Sequence, residues 1–129
     1  MAAEATRETP SARPEGHPRG RRLRRRSEYL RIYDNGRRLH GRLLVLFVSP
    51  GGGSAPRLGI TVTRKAGGAV VRNRLKRCVR EAFRRAVAAH ALPPLDVVVN
   101  VSPRAAGAPY EELESELGRL LARAAGLPS

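Results

Sequence analysis

The segment that most constrains the fold lies between Gly67-Gly68 and Pro93-Pro94, where the periodicity predicts one long amphipathic helix over residues 70 to about 90. At ~100° per residue, one arc of this helix is apolar and holds Val71, Leu75, Cys78, Val79, Ala82, Phe83, Ala86 and Ala89. The opposite side is polar and gathers Asn73, Lys76, Arg77, Arg80 and Arg84. A helix with a single apolar stripe must bury it against a second layer, so the chain needs a sheet or further helices.

Three short runs rich in β-branched and apolar residues predict strands, at residues 43–48, 58–63 and 97–101. In the second run Leu58, Ile60 and Val62 alternate with Gly59, Thr61 and Thr63, which assigns the two sets to opposite faces of a sheet. A Gly-rich stretch, residues 50–54, joins the first two runs and favours their pairing as antiparallel neighbours.

Two further helices are predicted. The first has Ser27 as its N-cap and Gly36 as a left-handed C-terminal residue. The last covers residues 110 to about 125, where Glu111, Glu112 and Glu114 complement the positive N-terminal end. Its apolar stripe consists of Leu113, Leu117, Leu120, Leu121 and Ala124.

The order α-β-β-α-β-α predicts an α/β (α+β) two-layer sandwich, with helices packed on a small mixed sheet. The 129 residues suit one domain, which we place at residues 21–125. Residues 1–20 form a Pro-rich stretch without apolar periodicity, in which three Arg are balanced by three Glu, so we expect a disordered tail there and a short C-terminal tail at 126–129.

The charge is strongly positive and concentrated in one region. The chain has 25 Lys+Arg against 11 Asp+Glu, a net charge of +14, and its sequence pI is about 11.7. Residues 57–85 alone carry ten cations against the single acid Glu81. Such a field attracts polyanions, which favours a nucleic-acid partner over a small-molecule substrate.

Several other classes of function are excluded by what the sequence lacks. Cys78 is the only cysteine, so no internal disulfide or cysteine-based zinc cluster can form. The three histidines have no metal-ligand spacing, no catalytic constellation or P-loop occurs, and no apolar run approaches the ~20 residues that span a membrane. We therefore expect a cytoplasmic protein with no catalytic side chain, no metal ligands of its own and no membrane contact.

The polar side of the central helix has two interpretations, a solvated charged face or a surface for a polyanion. Like charges four residues apart, Lys76 with Arg80 and Arg80 with Arg84, repel each other. A bound phosphate backbone relieves that repulsion, so the pattern favours the polyanion. The aromatic residues Tyr29, Tyr33 and Phe47 are equally compatible with core packing and with base stacking.

The run from Gly67 to Arg84, GGAVVRNRLKRCVREAFR, closely resembles the bacterial ribonuclease P protein subunit. The family signature is a Gly, then Ala-Val-x-Arg-Asn-Arg-x-Lys-Arg, then Arg-Glu-x-Phe-Arg, and every part of it is present. Flanking segments agree in order: Glu28-Tyr29 and Tyr33-x-x-Gly36 precede it, 57–65 leads into it, and 96–99 follows it. The resemblance covers about residues 21–125.

This resemblance implies a protein cofactor of an endoribonuclease whose catalytic subunit is RNA. The holoenzyme hydrolyses one phosphodiester bond of precursor tRNA, which releases the 5′ leader and leaves the mature 5′ end. The RNA subunit and its Mg²⁺ ions perform the hydrolysis, and the protein improves substrate affinity and metal-ion binding. The family fold also includes a left-handed βαβ crossover through the central helix, an exception to the usual right-handed rule.

The resemblance also implies two sets of RNA-contacting residues. The set expected to face the RNA subunit is Arg72, Asn73, Arg74, Lys76, Arg77, Arg80 and Arg84. The set expected in a cleft that holds the single-stranded leader is Tyr29, Tyr33, Val45 and Phe47, with Arg64 and Lys65 nearby. Two alternatives stay open: a structural RNA-binding protein such as a ribosomal component, and a nonspecific architectural DNA binder.

Overall fold

The computed structural model describes residues 22–23, 25–51 and 55–126. The predicted N-terminal tail, residues 1–20, lies outside these residues, as does most of the predicted C-terminal tail. The helices are α1 (Arg26–Asn35), α2 (Ala69–His90) and α3 (Tyr110–Ala124), and the strands are β1 (Arg37–His40), β2 (Leu44–Pro50), β3 (Arg57–Val62) and β4 (Leu95–Val101). Two 3₁₀ turns, Arg64–Ala66 and Pro103–Gly107, precede α2 and α3.

The four strands form one mixed sheet in the order β1-β2-β4-β3. Strand β2 runs antiparallel to both neighbours, so Leu46 lies opposite Leu39 of β1 and Val99 of β4. Strands β3 and β4 are parallel, with Ile60 opposite Val99. Because α2 connects these two parallel neighbours, the βαβ crossover is present; its left-handedness stays a prediction from the resemblance.

The small mixed sheet covered by helices confirms the predicted α+β sandwich, and two details of the strand prediction are wrong. The strands predicted at 43–48 and 58–63 are not neighbours, because β4 lies between them. The element order is α-β-β-β-α-β-α, with β1 as an additional strand. Only Leu39 of the four β1 residues is apolar and buried, so the sequence has no alternation that could reveal this edge strand.

The main core lies between one face of the sheet and the helices α2 and α3. From α2 it contains Leu75, Val79, Ala82, Phe83 and Ala86, and from α3 Leu113, Leu117, Leu120 and Leu121. These residues confirm both predicted apolar stripes except at one position. Ala89 was predicted in the stripe and is exposed, whereas Val87 packs against the core.

A second, smaller core lies on the other face of the sheet, beneath α1. It consists of Leu23, Tyr29, Ile32 and Val98. Strand alternation separates the two cores: Val97 and Val99 point to α2 and α3, and Val98 points to α1. Helix α1 therefore covers only part of this sheet face, and the rest of the face is not covered by α1.

The ends of α1 differ from the prediction. Its N-cap is Arg25, whose backbone N–H donates to Glu28 Oε1 at 3.2 Å and whose carbonyl oxygen accepts from the Glu28 N–H at 3.0 Å, and Ser27 lies inside the helix. Gly36 does follow the C-terminus, but its backbone is extended, with φ −83°, rather than left-handed. Glycine is required there for another reason: a Cβ would lie 2.5 Å from the carbonyl oxygen of Ile32 and 2.9 Å from that of Val48.

A buried carboxylate attaches α3 to the turn between β1 and β2. Glu116 is 3% exposed, and its Oε2 accepts hydrogen bonds of 2.8 Å from the backbone N–H groups of Leu43 and Leu44. Gly41 lies so close that a Cβ there would overlap this carboxylate. The contact fixes the start of β2, the strand that carries Val45 and Phe47.

Candidate nucleic-acid interface

The predicted polar and cationic residues of α2 all lie outside its fully buried stripe. We call this set the α2 basic surface: Arg72, Asn73, Arg74, Lys76, Arg77, Arg80 and Arg84. Asn73, Arg74, Arg77 and Arg84 are exposed, and the others are half-buried. The amphipathic pattern therefore separates burial from charge as predicted, and it leaves a row of donors on the outside of the domain.

The arginines of the first turns are held in place by backbone carbonyls. Arg72 Nε donates to the carbonyl oxygen of Gly67 at 3.2 Å, and Arg74 Nη2 donates to that of Ala106 at 3.0 Å. Each of these contacts is made by one nitrogen, so other guanidinium donors of the same side chains remain for a phosphate or base. The arrangement orients two cations before any ligand arrives.

The C-terminal half of the basic surface differs electrostatically from the first half. Arg84 donates to both carboxylate oxygens of Glu81, and Arg85 also donates to Glu81 and reaches Glu114 on α3. Hydrogen bonds from Arg84 and Arg85 lower the pKa of Glu81 to about 2. The charge of Arg84 is thus shared with an acid, whereas Arg77 makes no ion pair within the described ranges.

Four half-buried side chains lie beside α1 on the sheet face opposite α2, one from α1, two from β2 and one from β4. We call this surface the α1 groove; its lining residues are Tyr33, Val45, Phe47 and Asn100. Register explains the grouping, because Val45 lies opposite Asn100, and Phe47 lies opposite Val98 beneath α1. Side chains that are paired across strands share a face, so β2 and β4 present these residues together.

Tyr33 is the best-defined ring of the groove. Its hydroxyl donates to Asn100 Oδ1 at 3.0 Å and lies 3.3 Å from Thr61 Oγ1. Its ring meets Phe47 edge-on, with centroids 4.8 Å apart and planes at 87°. Burial raises the pKa of the Tyr33 hydroxyl, so it stays protonated and can keep donating. Two aromatic rings in fixed orientation form a platform on which a base can stack.

Tyr29, predicted as a third stacking ring, lies instead inside the small core. It is 1% exposed, and a Cβ added at Gly59 would lie 2.5 Å from its hydroxyl oxygen. Burial raises the pKa of this hydroxyl too. With no ring face open to a ligand, Tyr29 anchors α1 in the small core, and only Tyr33 and Phe47 of the three predicted rings are partly exposed.

Arg64 and Lys65 lie on the 3₁₀ turn that directly follows β3 and precedes α2, and both are exposed. Thr61, the last α1-facing residue of β3 before this turn, already contacts Tyr33. The turn therefore carries two cations from the edge of the α1 groove toward the first turn of α2.

A cluster of opposite charges holds α1 against the sheet at the other end of the groove. Asp96 of β4 is fully buried and accepts from Arg57 Nε at 2.9 Å and Arg57 Nη2 at 2.8 Å, and from Arg31 Nη2 at 2.8 Å. Arg57 also donates to Glu28 at 2.9 Å. The carboxylates raise the pKa of Arg57. Two residues of α1, Glu28 and Arg31, are thus tied to β3 and β4, which fixes the wall of the groove.

Sequence reasoning missed Asn100, Arg31 and Arg38 as parts of this surface. Asn100 orients Tyr33, Arg31 anchors α1, and the guanidinium carbon of Arg38 lies 5.5 Å from the centroid of the Phe47 ring. Only strand register brings Arg38 to Phe47, and neither the composition nor the spacing of RRLH contains that information.

One basic helix surface and one aromatic groove, on opposite faces of a single small sheet, define a nucleic-acid-binding protein. A sequence model of the Ribonuclease P family matches residues 17–125. The chain therefore belongs to the ribonuclease P protein family, the protein components of ribonuclease P, an RNA-containing enzyme of tRNA processing. Membership implies that the protein works in a complex with RNA.

Known relatives and structures agree with this assignment. The ribonuclease P protein component of Desulfovibrio desulfuricans is 41% identical over 113 residues, covering 84% of this chain and 85% of the relative. That of Syntrophus aciditrophicus is 39% identical over 106 residues, covering 79% and 85%. The solved structure of the RNase P protein from Thermotoga maritima has a TM-score of 0.71 at 36% identity and covers 79% of this chain and 96% of its own. Within the described ranges, the helices are too short or too polar to cross a membrane.

Proposed function

We propose that this subunit of ribonuclease P binds the catalytic RNA subunit through the α2 basic surface and the 5′ leader of precursor tRNA in the α1 groove. The RNA subunit performs the hydrolysis that releases the leader, and the protein increases the affinity of the complex for leader-bearing substrate. In this proposal no side chain of the protein takes part in the hydrolysis. The protein acts in the cytoplasm.

The observation that carries the proposal is the chemical difference between the two surfaces. The α2 basic surface offers oriented guanidinium groups and few rings, which suits the phosphates of a folded RNA. The α1 groove offers a pair of rings with polar side chains beside them, which suits unpaired bases. A leader is single-stranded, whereas the RNA subunit is folded, so each surface matches one partner.

Mg²⁺ belongs in this proposal with the RNA subunit. Among the described residues, no three His, Cys, Asp or Glu side chains lie close enough together to hold a metal ion. The best-placed carboxylates, Asp96 and Glu116, are occupied by arginines and by backbone N–H groups. The protein's own contribution is then to neutralise RNA phosphates, which allows the RNA to fold and bind its ions at lower Mg²⁺ concentration.

The experiment adds the purified protein to a bacterial ribonuclease P RNA subunit and precursor tRNA at low Mg²⁺, and measures release of the 5′ leader. We expect the protein to increase the rate over that of the RNA alone. No increase, together with binding to ribosomal RNA, would favour the structural RNA-binding alternative; no preference for RNA over duplex DNA would favour the architectural one.

Replacement of Tyr33 tests the groove within the assembled enzyme. We expect Tyr33→Ala to reduce affinity for leader-bearing precursor about tenfold, the effect of one lost stacking platform, and to leave affinity for mature tRNA unchanged. Tyr33→Phe is the matched control, because it keeps the ring and removes the contact with Asn100. Equal losses for both substrates would remove Tyr33 from the leader site.

A further inference from the structure

Arg38 lies at the outer margin of the α1 groove, on the edge strand β1. It is exposed, it lies directly opposite Phe47 in the β1–β2 register, and its guanidinium carbon lies 5.5 Å from the centroid of the Phe47 ring. Residues in register on paired strands project from the same face. Arg38 therefore lies on the same sheet face as the groove residues, at the β1 edge of the sheet, where the predicted leader set has no cation.

The electrostatic state of Arg38 separates it from the other arginines on this sheet face. Arg31 and Arg57 are paired with Asp96, and Arg57 is also paired with Glu28. Arg38 makes no ion pair with any described residue, and its guanidinium lies over the Phe47 ring. Contact with a ring uses up no N–H···O hydrogen bond, so N–H donors of Arg38 remain available to a phosphate.

We propose that Arg38 is a further leader-binding residue, which forms the second wall of the α1 groove. Its guanidinium lies over the Phe47 ring, so that a base stacks on the guanidinium rather than on that face of Phe47, and the adjoining phosphate accepts from its N–H edge. The bound strand then runs across β2 onto β1, and does not follow α1 alone. This inference rests on the proposed function, because it assumes that single-stranded RNA occupies the groove.

The test compares Arg38→Ala and Arg38→Lys in the holoenzyme, with leader-bearing precursor and mature tRNA titrated over a range of salt concentrations. We expect Arg38→Ala to weaken binding of the precursor about tenfold and to reduce its log K against log salt slope by about one. Arg38→Lys should keep the slope, because it keeps the charge, and lose part of the affinity, because it loses the planar group. Mature tRNA should bind all three proteins equally.

Arg119→Ala is the matched control for net charge. Arg119 is exposed on α3, on the other side of the sheet, and makes no ion pair within the described residues. Its loss should leave both affinities unchanged. Circular dichroism and thermal unfolding of each variant establish that the fold is intact, and Arg38→Lys remains informative if Arg38→Ala unfolds.

The outcomes separate this inference from the proposed function. A leader-specific loss in Tyr33→Ala, with wild-type binding in Arg38→Ala, would overturn the role of Arg38 and leave the groove in place. No leader-specific loss in either variant would overturn the proposed leader site itself. Equal weakening of precursor and mature tRNA by Arg38→Ala would also contradict the inference, because it would place Arg38 against the tRNA body or the RNA subunit.

Discussion

Replacing Asp96 with Asn should destabilise the domain strongly although the two side chains have the same shape. Asp96 is fully buried and accepts three hydrogen bonds from two guanidinium groups. The amide keeps one acceptor oxygen, turns a donor NH₂ group toward cationic donors and removes the negative charge. Breaking a buried ion pair by changing one partner costs about 3–5 kcal/mol.

The lower end of that range applies here, for two structural reasons. Arg57 keeps its contact with Glu28, and the side chains of Arg57 and Arg31 are 21% and 43% exposed, so water can solvate part of their charge. We therefore expect the free energy of unfolding to fall by about 3 kcal/mol. With a urea m-value of about 1.5 kcal/mol/M, the midpoint of unfolding moves down by about 2 M.

The assay is equilibrium urea unfolding followed by circular dichroism, with Asp34→Asn as the matched control. Asp34 is also an aspartate, is exposed on α1 and makes no ion pair within the described residues, so its change should lie within about 0.5 kcal/mol. A loss below about 1 kcal/mol for Asp96→Asn, with an unchanged m-value, would refute the claim that this carboxylate anchors α1 to the sheet.

Two further pairs of variants follow from the structure. Gly59→Ala should lower the free energy of unfolding by about 1–3 kcal/mol, because the new Cβ would lie 2.5 Å from the Tyr29 hydroxyl oxygen. Gly118 lies in open space within α3, so Gly118→Ala should raise the free energy of unfolding by up to about 1 kcal/mol. Urea unfolding of both variants measures the difference. Arg77→Ala should weaken assembly with the RNA subunit more than Arg84→Ala, because Arg84, unlike Arg77, is paired with Glu81. Equal losses of affinity in a binding titration would contradict this ranking.

The order of the strands in the sheet could not be predicted from the sequence. The helix at Ala69–His90 and the alternation of Leu58, Ile60 and Val62 were predictable, because both depend on local periodicity. The position of β4 between β2 and β3 depends on how α2 packs its apolar stripe, and strand pairing at that distance leaves no local pattern. Strand β1 was missed for a similar reason, since its single buried residue, Leu39, shows no alternation.

The same distinction applies to the candidate site: features set by local periodicity were predictable, and features set by long-range contacts were not. Lys76, Arg77, Arg80 and Arg84 were predictable as a surface, because helical geometry alone places them opposite the apolar stripe, whereas Arg72 and Arg74 were assigned from the resemblance. The leader-binding set came from resemblance, and burial then separated its members: Tyr33 and Phe47 border the groove, while Tyr29 fills the space above Gly59. The contact of Arg38 with Phe47 and the pairing of Arg84 with Glu81 required the register and the rotamers, which only the folded chain defines.

The most direct measurement is the affinity of precursor tRNA and of leaderless tRNA for the RNA subunit, each with and without this protein. If one surface holds the ribozyme and the other holds the leader, the protein should increase affinity for the precursor by at least about tenfold and leave that for leaderless tRNA nearly unchanged. An equal increase for the two substrates would contradict the account, because it would mean that the aromatic groove does not distinguish a substrate with a leader from one without.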